Sequence, residues 1–496
     1  MDFLIRIFLE AILEPLAWLR RTISLDGRMY ALLHVPPLQA LLERIGDMRA
    51  HAVFLKAKKS CPGYRNFLLA EGYSAAGAWR LEKVPVMTKD NYVKRYTLEE
   101  RCYGGRIPLS GVVIDESSGS TGMPNNWVRS AEERQDVKRI LQLSYKMIFK
   151  DSGKVLLNCF ALGPWATGMN VSMSMVDVGI LKSIGPDRAK LTNTLKLLGP
   201  KYEYLIFGYP PFIRSFVDEC EMDLAPFTIH FVVGGEGLSE GLRSHLLQTA
   251  KSVISSYGAS DLEINIGVET PLTIALRQHC LEHPALCQEL FGRETPPMIF
   301  QYNAVDYVIE TNEQRELIFT IVREASAAPK IRYNLHDLGG TYSFVAMTRR
   351  LNAHGVELAK MAPQSSRFPL LFVYGRNDSS VPFYGCKVFP SDLEQIIYSE
   401  PALATNVDTF QLATSEDVQL TSHLTIHLEQ SGRAGSVLPD EETLCALLFD
   451  GLVRVNQDFR EVSRLFSRSQ VHVRIHPQGT GPFAGKDIRI KARYIA

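Results

Sequence analysis

The stretch IHFVVGGEGLSEGLRSHLLQTAKSVISSYGASD, residues 229–261, decides the fold. Phe231-Val232-Val233 is a short apolar run closed by Gly234-Gly235-Glu236-Gly237, and Val253-Ile254 is a second run closed by Ser255-Ser256-Tyr257-Gly258. A short β-branched run bounded by glycine reads as a buried strand, and a helix-length interval before the next run reads as a crossover. Two strands joined this way lie parallel.

The same alternation continues upstream. Val112-Val113-Ile114, Val155-Leu156-Leu157 and Tyr204-Leu205-Ile206-Phe207 are further strand runs separated by helix-length stretches. The pattern predicts an α/β fold whose large N-terminal domain has mainly parallel sheets covered by helices. One of those helices is marked by Ser130 and Glu133 as a capping box, with Val137, Ile140, Leu141 and Ser144 on one face. Every strand run ends in small or polar residues: Asp115 to Gly122, Gly208-Tyr209-Pro210-Pro211, Gly234 to Gly237, and Ser255 to Gly258. Ligands of open α/β sheets sit at the carboxyl ends of the strands, so these exits predict one large crevice.

Residues 1–100 read as a helical region with few strand signals, and 101–374 as the core of the large domain. Beyond Tyr374 the texture changes. Gly375-Arg376-Asn377-Asp378-Ser379-Ser380 precedes a segment with a helix near 391–399, a strand near 423–428, a loop at 429–440, a helix near 440–458 and a strand at 471–475. Residues 375–496 are therefore expected to form a small mobile α+β domain on a hinge.

Lys and Arg together number 54, as do Asp and Glu, over 496 residues. No basic stripe offers itself to nucleic acid. The 8 cysteines are scattered without a C-x-x-C pair, which points to a reducing, cytoplasmic setting. Phe3, Leu4, Ile7, Phe8 and Ala11 recur at helical spacing, but Arg6, Glu10 and Glu14 interrupt them. That segment is too short and too charged to span a bilayer, and it reads as an amphipathic helix docked on the body or resting on a membrane surface.

Chemistry concentrates in Ser117-Ser118-Gly119-Ser120-Thr121-Gly122-Met123-Pro124. Its glycines let backbone N–H groups face an anion and its hydroxyls add donors, which suits a polyphosphate; a plain Ser/Gly turn has the same composition. No Gly-Lys-Ser/Thr follows, so it is not a P-loop. Counting from Gly235, the last glycine of a dinucleotide fingerprint falls on Glu240, which disfavours that fold.

The loop Ser117–Pro124 is followed in order by Tyr257-Gly258-Ala259-Ser260-Asp261, Ile331 to Leu338, Gly375 to Asp378 and Gly485-Lys486. This ordered set resembles the adenylate-forming superfamily. Tyr384-Gly385-Cys386-Lys387-Val388-Phe389-Pro390 with Asp392-Leu393-Glu394, and a chain end ten residues after Lys486, resemble its phenylacetate–coenzyme A ligase branch. The resemblance covers about residues 80–496.

It implies ATP-dependent activation of a small, apolar or aromatic carboxylic acid to an acyl-adenylate, then transfer to a thiol, coenzyme A. Ser117, Ser118, Gly119, Ser120, Thr121 and Gly122 would hold the β- and γ-phosphates. Gly235 and Glu236 would border the adenine, with Tyr257 and Gly258 beside it. Asp337 would accept from the ribose hydroxyls, Arg376 would reach ribose and phosphate, and Asp378 would be the hinge. Lys486 would place its ammonium by the α-phosphate, with Lys491 a weaker choice. Trp165, Tyr209, Pro210 and Phe212 would border the acid's tail together with Gly235, although aromatics of this kind also serve as plain core.

Three departures stand out. Met123 replaces the usual lysine of the phosphate loop, Asp261 stands where a glutamate would contact Mg2+, and Asn377-Asp378-Ser379 lacks a second acid at the hinge. Glu263 is the reserve magnesium ligand. A carrier-protein, amine or hydroxyl acceptor, and a catalytically silent nucleotide-binding relative, are the alternative readings. His279, Cys280, His283 and Cys287 form the one zinc-like cluster, set against ordinary helix-end packing. A homodimer is expected by resemblance alone.

Overall fold

The computed structural model describes residues 15, 35–74, 79–116, 125–149, 153–323, 325–362, 366–376, 380–384, 386–416, 422–456, 459–460, 463–464 and 466–484. The Ser/Gly loop Ser117–Pro124 expected to hold phosphate, the expected hinge residue Asp378, Lys486 and Lys491, and the N-terminal segment expected to be an amphipathic helix (apart from Pro15) lie outside them.

Strands β3 (Val155–Asn158), β4 (Ile180–Ser183), β5 (Glu203–Gly208), β6 (Thr228–Gly234) and β7 (Ser252–Ala259) pair in parallel in the order β4-β3-β5-β6-β7. The side chains of β3, β5 and β6 alternate between two buried layers. Val155, Leu157, Tyr204 and Ile206 face helices α5 (Arg188–Leu198), α6 (Pro210–Glu219) and α7 (Glu240–Leu246). Leu156, Leu205 and Phe207 face α3 (Ala131–Phe149) and α4 (Ala166–Met175). Burial on both faces is why these runs are continuously apolar rather than alternating.

The sheet does not stop at β7. β8 (Glu263–Val268), β9 (Met298–Tyr302), β13 (Leu370–Arg376), β12 (Tyr333–Tyr342), β11 (Glu316–Ile321) and β10 (Tyr307–Thr311) extend it antiparallel to 11 strands. Helices α1 (Pro36–Ser60) and α2 (Pro62–Ala70) cover this half through Phe54, Tyr64 and Phe67, packed with Phe319 and Tyr333. Helices α8 (Pro271–Glu282), α9 (Pro284–Phe291) and α10 (Phe344–Ala353) cover its other region through Leu276, Phe291 and Met347.

One strand lies elsewhere than the alternation suggests. β1 (Val112–Glu116) pairs antiparallel with β2 (Asn126–Ser130) in a separate two-stranded ribbon. Periodicity finds a strand but not its partner, and here the partner is local.

The C-terminal segment has its own apolar core, built on α11 (Pro390–Ser399) and α12 (Glu441–Val455). The core packs on a sheet of β16 (Val407–Glu416), β17 (Ser422–Gln430) and β18 (Val471–His476), with a ribbon of β14 (Val381–Phe383) and β15 (Cys386–Val388) beside it. No helix of the described residues is long and apolar enough to cross a membrane.

Candidate active site

The carboxyl ends of β5, β6 and β7 open onto one edge, and two glycines there are dictated by geometry. Gly235 has φ +84°, a conformation that glycine adopts without strain. At Gly258 an added Cβ would lie 2.7 Å from the Asn265 nitrogen and 2.7 Å from the Glu263 carbonyl oxygen, so only glycine lets β7 and β8 approach this closely.

Next to Gly258, the Tyr257 hydroxyl donates to Asp337 Oδ2. These residues are 80 positions apart in sequence and come together because β12 crosses the sheet opposite β13, with Asp337 directly across from Arg376. The Tyr257 ring stands 5.7 Å from Phe300 and 6.1 Å from Phe319, which fixes its plane. Glu236 lies close enough to Tyr209 that its charge, added to burial, raises that phenol to about 12.

Asp261 is buried, and its Oδ1 accepts the Trp127 indole N–H at 3.0 Å. Its other oxygen has no hydrogen-bond partner among the described residues. Glu263 is engaged otherwise: its carboxylate takes both the Arg323 guanidinium and the Tyr307 hydroxyl.

A buried arginine beneath the site carries no motif and is absent from the sequence reading. Arg129 donates to the carbonyls of Ser260 and Leu262, each at 2.7 Å, and so clamps the backbone on both sides of Asp261. The same guanidinium reaches Asp115 at 3.1 Å and Glu133 at 3.0 Å. Glu133 therefore completes only half of the expected capping box. Its N–H donates to the Ser130 hydroxyl oxygen at 3.0 Å, while its carboxylate turns inward to Arg129 and to Lys330 at 3.5 Å. Burial opposes ionisation of Glu133, but Lys330, Arg129 and Arg323 outweigh it and hold the acid at about 2. Burial and the neighbouring Arg129 lower Lys330 to about 8 against the pull of Glu133.

Behind the glycine turns, an apolar cavity of about 750 Å³, counting its open mouth, lies between α3, α4 and strands β5 to β8. Phe160, Val171, Met175, Leu205 and Ile254 supply much of its wall, and Gly234, Gly235 and Gly258 form part of it. Trp165, Tyr209 and Phe212 do not line it. Tyr209 sits behind the wall, edge-on to Phe160 at 5.0 Å, and Phe212 belongs to the core on the opposite face of the sheet. Trp165 caps α4, and its backbone bridges Glu116 at the end of β1. Glu116, the residue before the Ser/Gly loop, is thus tied to the start of α4.

The zinc-like quartet divides. His279, Glu282 and His283 offer ligand atoms within 4.8 Å of one another on the outside of α8. Cys280 and Cys287 face inward among Leu276, Leu290 and Phe291, so the thiols and imidazoles do not share a centre.

No family model matches the sequence, and no curated protein matches it. Solved structures do. A 2-hydroxyisobutyryl-CoA ligase in the postadenylation state, in complex with R3-HIB-AMP, aligns with TM-score 0.64 at 13% identity, covering 93% of this chain and 90% of that one. The same ligase in the thioesterification state, with 2-HIB-AMP and CoA, aligns with TM-score 0.52 at 14% identity, covering 93% and 90%. The anthranilate CoA ligase AuaEII, in complex with anthranoyl-AMP, aligns with TM-score 0.50 at 11% identity, covering 77% and 65%. The chain has the fold of the adenylate-forming ligases.

Proposed function

We propose that this chain uses ATP to activate a carboxylic acid as its acyl-adenylate and then passes the acyl group to the thiol of coenzyme A. One observation carries the reading. The Tyr257–Asp337 pair, the two glycine turns and the mouth of an apolar cavity meet at one edge of the sheet. A polar ledge of that kind suits a nucleotide, and the cavity behind it suits the tail of an acid.

In this reading the paired acceptor oxygens of Asp337 receive the ribose hydroxyls. Backbone without side chains at Gly235 lets the adenine lie flat beside Glu236. Ser117, Ser118, Gly119, Ser120, Thr121 and Gly122 turn N–H and O–H donors toward the β- and γ-phosphates, and Arg376 reaches the ribose side. The acid's carboxylate oxygen attacks the α-phosphorus as the bond to the β-phosphate breaks, releasing pyrophosphate. Lys486 stabilises the charge that develops there. Asp261 suits magnesium, because Trp127 occupies one of its oxygens and the other would be open to a hard cation. Bound there, magnesium would counter the charge of the phosphates.

A turn of the C-terminal domain about Asp378 then withdraws Lys486 and opens the acyl carbonyl to the thiol. The thiol sulfur bonds to the carbonyl carbon, its proton leaves, and AMP departs. Separating the half-reactions by such a turn is a gating motion.

The test is acid-dependent exchange of labelled pyrophosphate into ATP across aryl and aliphatic acids, followed by mass detection of the thioester when coenzyme A is added. Exchange with at least one acid, and a coenzyme A thioester of that acid, are expected. Binding of ATP without exchange for any acid would mark a silent nucleotide-binding protein instead.

A further inference from the structure

The cavity that would hold the acid's tail is mostly apolar; Thr167 and Tyr145 also line it, and one hydrogen-bonded polar trio stands out. Helix α3 presents Leu141, Ser144, Tyr145 and Ile148 to it, at the i, i+3, i+4, i+7 spacing of one helical face, with Ser144 and the Tyr145 phenol as the polar groups of that stripe. Facing it from the sheet are Asn265 on β8 and Ser256 on β7. Ser256 Oγ donates to Asn265 Oδ1 at 2.9 Å, and Asn265 Nδ2 donates to Ser144 Oγ at 3.2 Å.

Two further facts single out this trio. Asn265 has φ +58° inside a strand, a left-handed conformation that, glycine aside, Asn and Asp adopt most readily. That backbone turn places a buried amide at the cavity. The inventory of donors is also incomplete. An amide carries two N–H hydrogens and a serine one O–H, yet only one Asn265 hydrogen has an acceptor, and the Ser144 hydroxyl hydrogen has none among the described residues. Two donors on an apolar wall are costly without a partner, and a ligand oxygen would satisfy both.

We propose that Ser144 and Asn265, braced by Ser256, select an acid that has an apolar tail and also carries an oxygen acceptor, as hydroxyl, ether or ketone, a few atoms beyond its carboxyl group. The inference rests on the acid-activation reading for the identity of the ligand. The short reach to the carboxyl follows from Ser256, which directly precedes Tyr257-Gly258 at the mouth of the cavity. The apolar tail follows from Leu205, Ile254 and Phe149, which line the remainder.

The experiment uses matched acids: 4-phenylbutanoic against 3-hydroxy-4-phenylbutanoic and 3-oxo-4-phenylbutanoic acid, and octanoic against 3-hydroxyoctanoic acid. Pyrophosphate exchange is measured for the full-length wild type, Ser144→Ala and Asn265→Gly. Glycine accepts the positive φ, so the second variant removes the amide without adding strain. The wild type is expected to favour an oxygen-bearing acid about tenfold in kcat/KM, through KM, as two hydrogen bonds imply. Each variant is expected to shrink that ratio toward about one bond's share. The ratio compares two acids on one protein, so a general loss of activity cancels. Equal use of both acids by the wild type, or a ratio unchanged in both variants, would overturn the inference and leave acid activation standing. Thermal shifts with the same acids, without ATP, separate the remaining case. Selective stabilisation by the oxygen-bearing acids with no exchange would uphold the cavity assignment and remove the activation reading; no selectivity in either measurement would remove the assignment.

Discussion

Glu133 shows how much of this site is held from below. Its carboxylate is held at about 2, against an ordinary 4.5, by Lys330, Arg129 and Arg323, which together outweigh the cost of burying it. An acid whose folded value is depressed adds stability that is complete above the ordinary value and is lost as pH falls through the folded one. The window here runs from 4.5 down to about 2, and the contribution is on the order of 3 kcal/mol by linkage. Chemical denaturation of the wild type across that window is expected to show a steeper fall in stability than Glu133→Gln, which has no group to titrate there. Parallel pH profiles would contradict this account of the network. Tyr257, Gly258 and Asp337 were singled out in sequence by the order of the motifs that carry them, since an acid before leucine at a strand end is by itself commonly a turn residue. Arg129, Ser144 and Asn265 were not, because each acts through a partner more than a hundred residues away or within an otherwise apolar stripe.

At the scale of elements, the tightest requirement is the seam between β7 and β8. A methyl group at Gly258 would sit 2.7 Å from two backbone atoms of β8, and backbone cannot yield as a side chain can. Gly258→Ala is therefore expected to cost about 1–3 kcal/mol, as overpacking does. Gly237→Ala, whose added Cβ meets nothing within 4 Å, is expected to be near neutral. Melting temperatures of the two variants check this; equal shifts would show that the seam has slack. The strand runs and the capped helix were readable from their periodicity. The antiparallel half of the sheet was harder to read, since its order is set by long-range pairing such as Asp337 with Arg376 and not by local pattern. The β1–β2 ribbon escaped because periodicity finds a strand but not its partner.

For the whole molecule, the two parts of the chain are joined by contacts that any turning of the smaller one has to break. Arg214 on α6 is buried and donates to the carbonyls of Ala404, Val407 and Asp408, while Asp218 pairs with Arg433 at 2.7 Å. On the other side, Thr295 donates to the Val455 carbonyl and Glu294 pairs with Arg460. Removing one such buried donor leaves its acceptors unpaired, so Arg214→Ala is expected to change the two half-reactions by factors that differ about fivefold. Rapid-quench measurement of adenylate formation and of thioester formation checks this; equal changes would mean that the contact does not gate the reaction. The central claim is that the ammonium of Lys486 serves phosphoryl chemistry at the Tyr257–Asp337 edge. Its most direct test is pyrophosphate–ATP exchange by wild type and Lys486→Ala at saturating acid, with nucleotide affinity measured alongside. The account predicts that the variant binds ATP nearly as tightly as the wild type while exchange falls by at least about a hundredfold, whereas exchange at the wild-type rate would contradict it.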